Sequence, residues 1–413
     1  MKNLLATTIE RIVRAEGKKF LDLEFIGQGL DWKSILNPNC VQSLYVHIPF
    51  CKVLCPYCSF NRYTYEPSLA KQYFNALKKE LALYHSMNFQ FSHLYIGGGT
   101  PTVNMAALGS LLTEIKQLFP IQQISMETNP SDLTTENVVL LHQWGINRLS
   151  VGVQSFKDSL LKDIGRTSHT GQTAIEAIKR AYQAVETLNI DLMYNFPTQT
   201  REDLIEDIRL IRSLPVNQVT FYPLMPSPHR KTKLEKEFRT ISTEREFSFY
   251  QLILDQMLPD YSLSTAWCFS QGERIIDEYI VEDSDYIGAG AGAVSFIQGY
   301  FLSNTFSPEK YCKALEQGKT PAVLYKKSTQ LEEARYYMLT RLFGMKMSLE
   351  EYRRKYGSTL WKELSLLKTF QLIETKEGFL RPTRKGLYYV GLMMKHFFSS
   401  LNWLREYCMD HHV

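Results

Sequence analysis

The chain predicts an α/β fold: a partial TIM-type (β/α)6 barrel followed by a mainly helical, winged-helix-like domain. Three observations predict it. Short runs rich in β-branched and aromatic residues alternate with longer segments of helical periodicity from Ser43 to Leu224, the pattern of βα units on a parallel sheet. About six such units follow one another, which suits a barrel or an arc of one. A polar or glycine residue closes each run, where the ligand site of such a barrel lies.

Residues 1–42 read as a short amphipathic helix and an irregular, Gly- and Pro-bearing approach, together a packing arm. The barrel core, 43–228, opens with the strand SLYVHI and the helix PSLAKQYFNALKKELALYHSM. FSHLYI pairs with MAALGSLLTEIKQLF, QISMET with TTENVVLLHQW, and RLSVGVQ with TGQTAIEAIKRAYQAVETL. IDLMYN precedes REDLIEDIRLIRSL, and QVTFYPL closes the series. Thr134 or Thr135 is placed to cap the helix that follows it, and Pro197 ends the fifth strand region. Residues 229–328 read as a barrel-closing extension and linker. They hold the helix ISTEREFSFYQLILDQML and the small-residue run Gly288 to Ser295, poor in helix and strand propensity but open to close backbone approach. Residues 329–413 are helical, with a hairpin around Lys376-Glu377-Gly378. Met393, Met394, Phe397 and Phe398 there read as core.

Composition excludes several classes. With 413 residues, 44% apolar and 22% charged, the chain has the make-up of an ordinary soluble protein of two or three domains. A net charge of +4 gives little reason to expect nucleic acid, and the winged-helix-like block lacks a dense basic face, so it reads as a cover or packing module. No run approaches the roughly 18 apolar residues that span a bilayer, and the N-terminus lacks the signature of a signal peptide. A cytoplasmic protein without a membrane span is expected. The seven cysteines, three of them within eight residues, suit a reducing compartment rather than a disulfide framework.

Those three are Cys51, Cys55 and Cys58, in CxxxCxxC spacing directly after the first strand. Pro56 breaks any helix there, so a loop that wraps the thiols around one point is expected. Structural zinc takes four ligands and is closed, and Cys40 precedes a strand that leads away. Three thiolates on a four-iron cluster leave one iron open for a substrate or cofactor, so the spacing favours iron–sulfur over zinc, and both over a disulfide.

Other candidate residues stand at successive strand ends. These are Gly97, Gly98, Gly99 and Thr100 after the second, Glu127 after the third, and Gln154 after the fourth. Asp191 begins the fifth strand, and Asn195 and Tyr222 close the fifth and sixth. Glu127 has a bland alternative as a helix cap, and Gln154 and Asp191 predict buried polar groups that need partners. Arg166 and His169 in IGRTSHT have bland alternatives as a surface ion-pair residue and a satisfied loop histidine. Tyr45, six residues before Cys51, is undecided from its position alone.

The phrase YVHIPFCxxxCPYC, with GGGTPT, METNP, NRLSVGVQSF, GRTSHT, DLMYNFPTQT and YIGAGAGAVS in that order, resembles the radical SAM branch that holds oxygen-independent coproporphyrinogen III oxidase. The resemblance implies a radical SAM barrel with a 4Fe–4S cluster on Cys51, Cys55 and Cys58, and one or two molecules of S-adenosyl-L-methionine (SAM). SAM would lie against Tyr45, Tyr57, Gly98, Gly99, Thr100, Glu127, Gln154, Arg166 and Asp191, with Tyr45 and Arg166 catalytic. It implies cleavage of SAM to a 5′-deoxyadenosyl radical, oxidative decarboxylation of a porphyrinogen or related tetrapyrrole, and an electron donor such as flavodoxin or ferredoxin. Two departures open alternatives. Phe60 stands where the oxidases carry a further cysteine, as in heme-chaperone relatives. Those relatives carry HNxxYW where this chain has Ile276 to Val281, with neither His nor Trp. Radical SAM methyltransferases acting on heme also fit the small-residue run and nearby Glu273-Arg274.

Overall fold

The structure, a computed structural model, describes residues 2–26, 38, 41–226, 242–272, 275, 279–282 and 285–410. Cys40, Glu273-Arg274 and Ile276 to Glu278 lie outside the described residues. Six strands form the centre: β1 (Ser43–Ile48), β2 (His93–Gly98), β3 (Gln123–Thr128), β4 (Arg148–Gln154), β5 (Thr187–Tyr194) and β6 (Gln218–Pro223). Each pairs in parallel with the next, as consecutive βα units require. Helices Pro67–Ser86, Met105–Leu118, Thr135–Gln143, Gly171–Ala181 and Arg201–Ser213 stand between them. Local chemistry starts these helices: Thr134 accepts from Asn137 N at 3.2 Å, and Thr200 with Asp203 closes a capping box.

Two sequence expectations change. The helix expected to run on through Leu188 stops at Ala181, and β5 begins at Thr187. Register decides this, because Thr187 pairs with Arg148 and its N–H reaches Asn147 O at 2.9 Å. The small-residue run is not without structure: Tyr286–Ala289 forms β7, parallel to β1 on its outer side, and Val294–Ile297 forms β8. Small residues are required because a Cβ on Gly288 would meet Val294 O at 2.2 Å. Gly288→Ala is therefore expected to cost about 2 kcal/mol or more, read as a lower thermal midpoint with the overall fold kept.

From β8 the sheet continues antiparallel through β9 (Tyr300–Asn304) and β10 (Ala322–Lys327) to Glu24–Phe25 of the N-terminal arm. At the other edge Cys268–Ser270 and then Ser262–Leu263 add to β6. Helices cover the gap between these edges. Phe398 of helix Arg384–Asp410 meets Trp267 beside one edge. Its neighbour Phe397 meets Tyr336, which lies against Phe296 of β8 at the other. An ion pair of the half-buried Lys395 with the buried Glu246 adds a tie to helix Thr243–Met257. The C-terminal helix thus packs across the barrel arc. Met393, Met394 and Phe397 are buried. The hairpin forms at Glu377 and Gly378, both at positive φ, and gains a third strand, Met347–Ser348. Among the described residues no helix is long and apolar enough to cross a membrane.

The two faces of the central sheet differ in chemistry. Leu44, Val46, Ile48, Leu94, Ile96, Ile124, Met126, Leu149, Val151, Ile190 and Phe221 are buried in the apolar core. The intervening positions run across the strands in register: Tyr45 beside Tyr95 beside Ser125, then Glu127 beside Ser150 beside Asn189 beside Gln218. Successive residues of a strand face opposite sides, so this sheet has one apolar face and one polar face.

Candidate functional site

β1 runs into the cysteine loop, and β2 into the glycine turn beside it. Gly99 N donates to Ile48 O and Thr100 N to Phe50 O, each at 2.8 Å. The approach leaves no room for a side chain: a Cβ on Gly99 would lie 2.7 Å from Phe50 O and 3.0 Å from Cys51 Sγ. Cys55 to Cys58 forms a turn closed by Cys58 N to Cys55 O at 3.2 Å. Behind it the buried Arg62 donates from Nη2 to the carbonyls of both Cys55 and Cys58. Tyr57 is buried edge-on against Phe196, 5.4 Å between centroids.

The three thiols stand near one another, since Cys58 and Cys55 both act electrostatically on Cys51. Among the described residues no group of three or more His, Cys, Asp or Glu is arranged to hold a single metal ion. Different walls hold different sulfurs. Thr100 Oγ1 donates to Cys51 Sγ at 3.5 Å, and Arg166 Nη1 donates to Cys55 Sγ at 3.3 Å. Burial pushes the Cys51 thiol up to about 11, against the Thr100 hydrogen bond. Cys51, Cys55 and Cys58 are free cysteines.

The strand-end residues gather beside this loop. Glu127 accepts from Tyr95 Oη at 3.0 Å and from Gly98 N at 3.1 Å, so it ties β3 to β2 and does not cap a helix. Burial raises its pKa above the ordinary carboxylate value, against both hydrogen bonds. Gln154 is half-buried, ends a bulged strand and has φ of 70°, a left-handed conformation that non-glycine residues adopt at a cost. Asp191 is half-buried rather than sealed in, and accepts from Ser150 Oγ at 2.8 Å and Asn189 Nδ2 at 2.7 Å. Tyr45 Oη lies 2.8 Å from His47 Nδ1, and His47 Nε2 lies 2.8 Å from Asn61 O. A carbonyl only accepts, so Nε2 carries the hydrogen and Nδ1 takes Tyr45's. Burial lowers His47 to about 4 and keeps it neutral.

Arg166 joins the most partners. Besides Cys55 it donates from Nη2 to Asn129 Oδ1 at 2.6 Å and Gly152 O at 2.7 Å. Its Nε is buried and finds no hydrogen-bond acceptor among the described residues. His169 takes the bland role: Nε2 faces Val153 O at 3.1 Å and Nδ1 faces Ser168 Oγ at 3.1 Å. Burial lowers its pKa from 6.5 to about 4, so the neutral ring stabilises the fold above pH 6.5. That stability, at most ~3 kcal/mol, is lost as pH falls through the folded pKa. His169→Gln is expected to flatten this part of the acid limb in urea melts taken from pH 7 to 4.

Sequence reasoning missed Asn129, Arg62, His47 and the Ser150–Asn189 pair. Asn129 lies within METNP, two residues after Glu127, and was legible only as a motif letter. The polar layer had a signal in the alternation within each strand, which a parallel sheet with two apolar faces would not show.

An orphaned guanidinium N–H and three free thiols at one strand end fit a cluster with an anionic small molecule beside it. That arrangement on a parallel βα arc defines a radical SAM protein, and residues 45–211 match the Radical SAM superfamily. Within it, the chain belongs to the family that contains heme chaperone HemW and oxygen-independent coproporphyrinogen III oxidase. It is 31% identical to Heme chaperone HemW of Lactococcus lactis over 342 residues, 79% of this chain and 87% of that one. Identity to anaerobic coproporphyrinogen III oxidase 1 of Cereibacter sphaeroides is 29% over 314 residues, 69% of each chain. The fold is that of the Escherichia coli coproporphyrinogen III oxidase HemN, with TM-score 0.77, 21% identity, and 91% and 95% of the two chains covered. Membership of the radical SAM family implies a 4Fe–4S cluster and SAM.

Proposed function

We propose that Cys51, Cys55 and Cys58 hold a 4Fe–4S cluster, and that SAM binds across the mouth formed by Gly98, Gly99, Thr100, Glu127, Gln154, Arg166 and Asp191, with Tyr45 and Tyr57 beside it. The observation that carries this reading is Arg166, which spends one donor on a loop thiol and keeps a buried Nε–H for a ligand. A buried donor without an acceptor costs free energy, and a carboxylate is its best partner. Glu127, pushed up by burial, favours a cationic neighbour such as an ammonium group. Bound together, cluster and SAM supply one-electron reductive cleavage of the sulfonium, and the protein supplies position and exclusion of water. A one-electron donor of the flavodoxin or ferredoxin class is required.

The molecule handled is a tetrapyrrole, and heme handling is the first reading. Two of the relatives named heme chaperone align over 88% and 87% of their length, against 69% for the Cereibacter oxidase; three others so named align over 51% to 69%. Phe60, 56% exposed, stands where the oxidases carry cysteine. The second reading is oxidative decarboxylation of a porphyrinogen, favoured by the intact set of residues proposed for SAM. Methyl transfer is a third outcome of the same test. Anaerobic incubations would contain reductant, SAM with a labelled methyl group, and heme or coproporphyrinogen III. Heme co-eluting at one per chain, without loss of carbon dioxide, is the expected result. Release of carbon dioxide from coproporphyrinogen III would replace it with the second reading. Label in the tetrapyrrole together with S-adenosylhomocysteine would replace it with the third.

A further inference from the structure

We infer that Asn129 is a positioning residue for the cysteine loop, orienting the hydrogen-bond donors of both Cys51 and Cys55 and so setting the reduction potential of the cluster they hold. The inference rests on the cluster reading above. Three side chains form one chain of contacts between the two sulfurs. Cys51 Sγ accepts from Thr100 Oγ1 at 3.5 Å, and Thr100 Oγ1 accepts from Asn129 Nδ2 at 2.9 Å. Asn129 Oδ1 accepts from Arg166 Nη2 at 2.6 Å, and Arg166 Nη1 reaches Cys55 Sγ at 3.3 Å.

The direction of every bond is forced. A guanidinium has donors only, so the carbonyl end of Asn129 must face Arg166 and its NH2 end must face Thr100. Thr100 then receives a hydrogen on its oxygen and has a single hydrogen left to give. A metal-bound thiolate accepts, so that hydrogen goes to Cys51. The charge of Arg166 thereby decides, through Asn129, that both sulfurs receive a hydrogen bond.

Asn129 is held for this task. It precedes Pro130, which restricts it to extended backbone, and its φ and ψ are −108° and 152°. It stands at the N-cap of the turn Pro130–Asp132, yet its side chain makes no capping bond, although asparagine is among the favoured caps. The turn is anchored separately. Asp132 accepts from Thr102 Oγ1 at 2.9 Å and pairs with Lys52 at 3.1 Å, and Thr102 also meets Thr128 at 2.8 Å.

Hydrogen bonds to ligand sulfurs are one of the levers on iron–sulfur potentials. The positive end of each donor stabilises the extra electron, so losing a donor lowers the midpoint. The test uses the full chain, reconstituted anaerobically, with iron and sulfide counted and the midpoint read by redox titration followed by electron paramagnetic resonance without SAM. Thr100→Val removes the hydrogen bond to Cys51 and is expected to shift the reduced-to-oxidised ratio about tenfold, 59 mV for one electron. Asn129→Asp still accepts from Arg166 but also accepts the Thr100 hydrogen, turning it away from Cys51, and is expected to lower the midpoint as well. Asp also brings a charge, and the double variant separates the two effects. If both singles break the same bond, the double shift is smaller than their sum.

Additive shifts, or an unmoved midpoint in Thr100→Val, overturn the inference. Failure of either variant to load iron while the wild type loads would assign these side chains to assembly, and overturns it too. A wild-type chain that takes up no iron rejects the cluster reading itself, so the two failures read out differently.

Discussion

Replacing any one of Cys51, Cys55 or Cys58 by alanine is expected to take the anaerobically reconstituted protein from about four irons and four sulfides per chain to near none, with loss of its brown colour. The size of the effect follows from the loop. Two of the three sulfurs are buried and tied to different segments, the turn after β2 and the loop before helix Gly171–Ala181, and Arg62 fixes the carbonyls of Cys55 and Cys58. No other described thiol is offered in their place. Cys268, Cys312 and Cys408 are buried elsewhere in the core, and their alanine variants are expected to keep full iron. A colourless wild-type chain holding one zinc would reverse the assignment. Cys40 lies outside the described residues, and its alanine variant is expected to keep iron on the sequence argument alone.

The architecture was legible because parallel βα units write their period into the chain. The six central strands fall where the β-branched and aromatic runs stand, and the family motifs occupy their ends. What was not legible has physical causes. β7 hides in a run of glycine and alanine because it is selected for close approach to Val294 and not for strand propensity. The stop of the helix at Ala181 depends on register with β4, which no local signal carries. In the site, the strand-end positions of Glu127, Gln154 and Asp191 were readable, but their partners were not. Glu127 had a helix cap as its bland alternative, and its partners lie on the neighbouring strand at Tyr95 and Gly98. Arg166 and Cys55 are 111 residues apart, and their contact depends on the whole arc closing. His169, in the same motif as Arg166, is satisfied by Val153 O and Ser168.

Arg166→Ala is expected to weaken SAM binding to the cluster-loaded protein by roughly 30- to 1,000-fold, the equivalent of about 2–4 kcal/mol. Three losses add to that range. The buried Nε–H, which has no acceptor among the described residues, is the donor assigned to the ligand's carboxylate, and a buried charge-assisted bond is among the stronger polar contacts. Truncation also leaves Asn129 Oδ1 and Gly152 O without the donor they share, a cost that falls on the shape of the mouth. It removes the hydrogen bond to Cys55 Sγ as well. Arg166→Lys keeps the charge but offers a point donor instead of a planar fork. A single ammonium cannot reach Cys55, Asn129, Gly152 and a ligand in the directions that the guanidinium does. The lysine variant is therefore expected between alanine and wild type, and nearer to alanine. Equilibrium dialysis with labelled SAM under anaerobic conditions gives the affinities, and iron counts on the same samples separate lost binding from lost cluster. Wild-type affinity in Arg166→Ala at full iron content would move the SAM site away from this mouth.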